Sequence, residues 1–204
     1  MSKNAAYNDA RVIVLDLETK KSFAEINRDK LHHLLISVVG IYDSHDDAYH
    51  CYEEKEFGLL EERLKACDVL VGFNIIEFDM KVLSPYLLMD TSHIKVLDLM
   101  TEFQKVKGHR VSLQSLAQAT LNDSKSGTGY DAIQLYRDGR MDELKKYCLD
   151  DVRITKNVMD YGLEYKKVLY FSNRDFMNHE VELDWSDWLQ KDAEKEQVFP
   201  KSLF

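Results

Sequence analysis

Residues 11–16, RVIVLD, are apolar and largely β-branched on both faces of an extended chain. A strand of that kind belongs in the middle of a sheet with both faces covered, so layers are required above and below it. The segments LLISVVGIYD (34–43) and AYHCYE (48–53), separated by the polar SHDD, read as a hairpin of two more strands. FGLLEERLKAC (57–67) then carries helical apolar spacing, and DVLVGF (68–73) returns to a short buried strand. A helix is expected from about 77 to 88, built on Phe78, Val82 and Tyr86, with Pro85 as a kink or early stop. After it come a strand in HIKVLDL, a helix near 99–106, and a helix over LQSLAQATL capped by Ser112. The turn-rich NDSKSGTGY (122–130) leads into helices expected at 131–138 and 140–170. Short connections place the first three strands side by side and add strands 4 and 5 parallel to strand 1 on its other side. The expected fold is α/β, with a five-stranded mixed sheet of order 3-2-1-4-5, strand 2 antiparallel, flanked by helices.

A chain of 204 residues that is 45% hydrophobic can bury one substantial core. We expect a main domain over residues 1–170 and a C-terminal extension over 171–204, in which Trp185 and Trp188 lie among acidic residues. That extension reads as a segment docked on the domain or bound to a partner. Cys51, Cys67 and Cys148 lack metal-type spacing and read as reduced thiols, which disfavours zinc. A polar start and the lack of a long apolar run lead to the expectation of a soluble cytoplasmic protein with no membrane partner. The net charge of −9 argues against a nucleic-acid coat protein, since that binding needs lysine and arginine against phosphate.

Acids sit where a core would be apolar. Asp16 and Glu18, two apart at the end of the first strand, point to one face and can reach one ion if the strand runs through Thr19. Alone, a D-x-E at a strand end is commonly a solvated turn. In the last long helix, Leu144, Tyr147, Asp151, Ile154 and Val158 form one stripe, which places Asp151 on the core side. Asp150 lines up instead with Glu143, Lys146, Arg153 and Asn157, a charged face. Tyr147 precedes Asp151 by one turn, so phenol and carboxylate project side by side. Asp79 opens a helix, where an acid is also favoured by free backbone N–H groups, and Asn74 suits a cap. Buried acids in such number call for cations.

The order DLE at 16–18, NIIEFD at 74–79 and YCLDD at 147–151 resembles the three motifs of the DEDD 3'-5' exonucleases of ribonuclease H-like fold. A tyrosine four residues before the last aspartate is similar to the tyrosine (DEDDy) subgroup; Lys146 stands where the histidine subgroup has its base. The gap from Asn74 to Asp79 and the Y-C-L-x-D wording resemble the proofreading domains of family B DNA polymerases and their free-standing relatives, over roughly residues 11–160. The resemblance implies a three-layer ribonuclease H-like fold and two divalent cations, Mg2+ or Mn2+, as cofactors. Asp16, Glu18 and Asp151 would hold one ion, Asp16 would also bridge to the second, and Asp79 would approach that second ion. Tyr147 would orient the attacking water. Leu17 and Thr19 would contact the terminal nucleotide, with Asn74 and Phe78 flanking the same pocket.

The implied activity is hydrolysis from single-stranded 3' ends, DNA favoured over RNA, releasing nucleoside 5'-monophosphates, with a helicase or another replication or repair protein as a conceivable partner. An RNA-trimming exonuclease and a non-catalytic nucleic-acid-binding or partner-binding module of the same fold are the alternatives. Lys105, Lys107, His109 and Arg110 form a compact basic turn, and Lys125 lies in the following loop. These cations suit the phosphates of an incoming strand, and equally a solvated turn between helices.

Overall fold

The computed structural model describes residue 7 and residues 9–123 and 127–189. Strand β1 (Val12–Thr19) pairs antiparallel with β2 (Ile36–Asp43), and β2 pairs antiparallel with β3 (Ala48–Tyr52). On its other side β1 runs parallel to β4 (Val69–Gly72), and β4 parallel to β5 (Lys95–Asp98). The order is β3-β2-β1-β4-β5, as the sequence leads one to expect.

Alternation along β1 divides the interior. Ile13, Leu15 and Leu17 face a core with Ile41 of β2, Leu60 and Leu64 of helix α1 (Phe57–Lys65), and Val82 of helix α2 (Asp79–Leu83). Val12 and Val14 face the opposite core, built with Phe103 of α3 (Leu99–Lys107), Leu116 of α4 (Leu113–Leu121), and Ile154 and Val158 of α6 (Met141–Tyr165). A further helix, α5 (Gly129–Arg137), packs Ala132 beside Leu144 and Cys148 of α6. By the period of two, Asp16 and Glu18 extend the row of Val12 and Val14, toward α6.

Several boundaries differ from the expectation. β1 continues past Asp16 to Thr19. The helix expected over 77–88 is α2 of five residues followed by a single 3-10 turn at Ser84–Tyr86, because Pro85 cannot continue the α ladder. Helix α6 stops at Tyr165 and not near 170: Lys166 takes a left-handed φ of 57° and closes the helix onto the Gly162 carbonyl. Two strands follow that the sequence reading did not anticipate, β6 (Lys167–Ser172) and β7 (Met177–Glu182), forming an antiparallel hairpin. The expected domain boundary at 170 falls inside β6.

The hairpin is fastened to α4 by two hydroxyl groups. Ser115 Oγ donates to the Phe171 carbonyl at 2.9 Å and accepts from its amide at 3.0 Å. Thr120 Oγ1 does the same at Leu169, at 2.8 and 2.9 Å. Beyond the hairpin, the Trp185 indole is 1% exposed and fills the space left by Gly162, where a Cβ would collide with the ring. Burial of one indole contributes on the order of 4 kcal/mol. Trp188 packs more loosely against the same core. Among the described residues, no helix is long and apolar enough to cross a membrane.

Candidate active site

Helix α6 approaches β1 closely because the residue paired with Asp16 across the sheet is Gly40. A Cβ at Gly40 would stand 2.8 Å from Cys148 Sγ and 3.2 Å from Leu149 and Val152, so only glycine admits the helix at this level. The Cys148 thiol consequently lies 3.5 Å from the Asp16 carbonyl. One turn of helix around Cys148 then presents Tyr147 and Asp151 to the end of β1.

The result is a cluster of three carboxylates. One oxygen from each of Asp16, Glu18 and Asp151 lies within 4.8 Å of the others. Glu18 and Asp151 are buried, at 8% and 3% exposure, and Asp16 is half-buried. Asp150 turns away, its carboxylate 2.8 Å from Arg153. Asp79 is buried too and accepts a hydrogen bond from the Leu17 amide at 3.2 Å, so the fourth acid docks on the peptide between the two strand carboxylates.

Tyr147 is 7% exposed, and its hydroxyl has no hydrogen-bond partner among the described residues. Gly127 of the preceding loop comes so close that a Cβ there would stand 3.2 Å from the Tyr147 ring. Burial raises the phenol pKa, and the neighbouring Asp151, Glu18 and Asp16 raise it further, so the group stays protonated at neutral pH. A buried hydroxyl without a partner, beside converging carboxylates, is a donor awaiting an acceptor brought by ligand or solvent. The donor set is all oxygen, which suits a hard divalent cation such as Mg2+ or Mn2+ better than zinc.

Next to the acids lies a pocket of about 280 Å³ walled by Leu17, Glu18, Thr19, Phe78, Phe23 and Tyr130, among others. Phe23 and Phe78 have ring centroids 5.8 Å apart, and Tyr130 is 67% exposed. Thr19 Oγ1 is engaged with the Lys21 carbonyl at 2.9 Å. Asn74 is not among the lining residues. It sits at φ 62°, its amide donates to Asp98 at 2.9 Å, and its side-chain oxygen accepts from Arg110. Phe23, Tyr130 and Ile133 escaped the sequence reading because each comes from a loop or helix whose neighbourhood only the tertiary fold defines. Of the basic turn, Lys105 pairs with Glu102 at 2.6 Å; Lys125 lies outside the described residues.

A three-layer α/β molecule with this sheet order and an acidic oxygen cluster at the end of its central strand is a protein of ribonuclease H-like fold. The model of the RNase_H superfamily matches residues 13–162, and the chain belongs to that superfamily. Among solved structures, the family B DNA polymerase from the hyperthermophilic archaeon Pyrobaculum calidifontis is similar at a TM-score of 0.57 and 18% identity, over 76% of this chain and 25% of that one. The chain thus spans about a quarter of that polymerase's length, and the likeness is one of fold. No curated protein matches the chain.

Proposed function

We propose that the protein is a metal-dependent 3'-5' exonuclease of the tyrosine-type DEDD group, acting on single-stranded 3' ends, DNA in preference to RNA, and releasing nucleoside 5'-monophosphates. The observation that carries this reading is the meeting of Asp16, Glu18 and Asp151 within 4.8 Å beside the partnerless hydroxyl of Tyr147. The three carboxylates would hold a divalent cation, and Asp79, fixed by the Leu17 amide, would face a second. Divalent cations, when bound, supply Lewis acidity for the scissile phosphate, the attacking water and the leaving 3' oxygen.

The chain's own contribution is binding and orientation. Tyr147, kept protonated, would act as a hydrogen-bond donor that fixes the attacking water, not as a base. Phe78, Phe23 and Tyr130 offer ring faces on which the terminal base can stack, a sequence-tolerant contact. Glu18 stands in the wall of that pocket with Leu17, so a nucleotide seated there has its phosphate near the acids.

The test is to incubate 5'-labelled single-stranded DNA and RNA with the protein and Mn2+, with EDTA and Asp16→Ala as controls. A ladder of products shortened from the 3' end, dependent on metal and absent in Asp16→Ala, is expected, with DNA the faster substrate. Intact polymers in every lane overturn the proposal, and faster loss of RNA reverses the preference.

A further inference from the structure

A cavity of about 650 Å³ lies away from the acidic cluster, between the α3–α4 turn and the tip of the β6–β7 hairpin. Its walls gather Lys107, His109, Arg110, Arg174 and His179 against one carboxylate, Asp175. Lys107, Arg110 and Arg174 thus bring three permanent positive charges to one cavity, in a chain of 36 acidic and 27 basic residues. Of the six arginines elsewhere, five are spent on carboxylates, Arg11 and Arg63 on Asp43, Arg137 on Glu25, Arg140 on Glu143, Arg153 on Asp123 and Asp150, while Arg28 stands over the Phe23 ring. Among the described residues, Lys107 and Arg174 have no carboxylate partner, and Arg110 forms no salt bridge although its charge is felt at Glu77. Asp175, the one acid in the wall, lies 2.7 Å from His179.

The cavity is built on fixed parts. Tyr170 forms its floor, edge-on to Phe103 at 5.1 Å and stacked with His179 at 5.5 Å, and Lys107 lies 5.8 Å from the same ring. The hairpin side is held by Ser115, whose hydroxyl is bonded on both sides to Phe171. A chain of contacts leads from the groove wall to the pocket beside the acids. Arg110 donates to the Asn74 side chain, the Asn74 carbonyl accepts from Phe78 at 3.0 Å, and Phe78 walls the pocket beside Glu18.

We infer that this groove binds the phosphate backbone of the nucleic-acid strand several nucleotides before its 3' end, with Lys107 and Arg174 gripping from the two sides. Cations outside salt bridges, placed around a wide and polar cavity, gain most from phosphates, because binding releases condensed counterions at no cost in broken ion pairs. The hairpin half of the groove lies outside residues 13–162 matched by the superfamily model. The inference takes the exonuclease reading as its starting point.

Its test separates the two. Binding of fluorescein-labelled oligothymidylates of about 20 and about 4 nucleotides is measured in EDTA, where no hydrolysis occurs, for the wild-type chain and for the double variant Lys107→Ala/Arg174→Ala. Both residues are exposed, and the variant's melting curve checks its fold. Expected is a loss of about tenfold or more in affinity for the long oligomer, a salt slope shallower by roughly two, and unchanged binding of the short one. Equal affinity of variant and wild type for the long oligomer overturns the groove whether or not the protein degrades DNA. A similar loss on both lengths overturns it as well, since it would place the two cations at the 3' terminus. A wild-type chain that binds the long oligomer through the groove yet never shortens it with Mn2+ would overturn the exonuclease reading and leave the groove standing.

Discussion

The Leu17 amide donates to Asp79 Oδ1 at 3.2 Å, so the acid at the start of α2 is tied to the peptide that separates Asp16 from Glu18. The bond makes the position of one carboxylate depend on the strand that carries two others. Asp79→Asn retains a carbonyl oxygen that can accept from Leu17 and removes only the charge. Loss of a charge-assisted bond of this kind costs about 1–2 kcal/mol. The expected outcome is a small drop in melting temperature together with a fall of at least about a hundredfold in hydrolysis of labelled single-stranded DNA. A variant that keeps wild-type turnover would remove Asp79 from the site.

Tyr147→Phe deletes a hydroxyl that has no partner among the described residues, so stability should change by less than about 1 kcal/mol. Turnover should fall by about 10²-fold, the scale of a lost positioning or proton-handling group. Titration of Mn2+ followed by calorimetry should be unaltered. Weakened metal binding would contradict the assigned role.

Gly162→Ala tests whether the segment after the hairpin belongs to the core. In an ordinary helix interior this change stabilises by about 1 kcal/mol. Here the added methyl meets the buried Trp185 ring, so the sign should reverse, to a loss of about 1–3 kcal/mol in urea denaturation. Gly162→Ala combined with Trp185→Phe should recover part of that loss, because the smaller ring leaves room.

The two hydroxyl clamps make a separate prediction. Ser115→Ala and Thr120→Val each strip an amide and a carbonyl of β6 of their partner, at a cost of about 1–2 kcal/mol apiece. Amide hydrogen exchange should accelerate at Phe171 in the first and at Leu169 in the second, with β1 unaffected. Uniform exchange across both variants would mean that the hairpin is held by other contacts.

Acid stability should be governed in part by Asp43. Its side chain is fully buried between Arg11 at 2.6 Å and Arg63 at 2.7 Å. Burial pushes the carboxyl up, but hydrogen bonds from Arg11, the His45 amide and Arg63 outweigh it and hold the pKa below the ordinary value. A depressed carboxylate contributes stability that is complete above its unfolded pKa of about 3.9 and is lost as pH falls through the folded value. Melting temperature should therefore decline below about pH 4, and Asp43→Asn should be less stable at pH 7 by about 2 kcal/mol or more with a flatter acid limb. An unchanged acid limb in the variant would assign the decline to other groups.

The order of the sheet was legible because RVIVLD admits no edge position and short connections leave few arrangements. The side of α6 that carries Asp151 was legible as well, since a helical period separates it from Asp150. Less visible was the reason α6 comes so near: Gly40 is unremarkable in ISVVGIYD, and its partner across the sheet appears only once the strands are in register. The end of α6 was hidden because Lys166 adopts a left-handed turn without glycine or proline to announce it. The hairpin followed from that miss, and with it the aromatic and basic walls formed by residues far apart in the chain.

The hydroxyls of Ser115 and Thr120 have one more consequence. An exposed strand edge invites pairing with a second chain, and among the described residues β6 pairs with no strand but β7. On the other side α4 occupies the amides and carbonyls of Leu169 and Phe171. A helix thus closes the edge that a strand would otherwise extend, and self-association by β-pairing is blocked on that side of the hairpin.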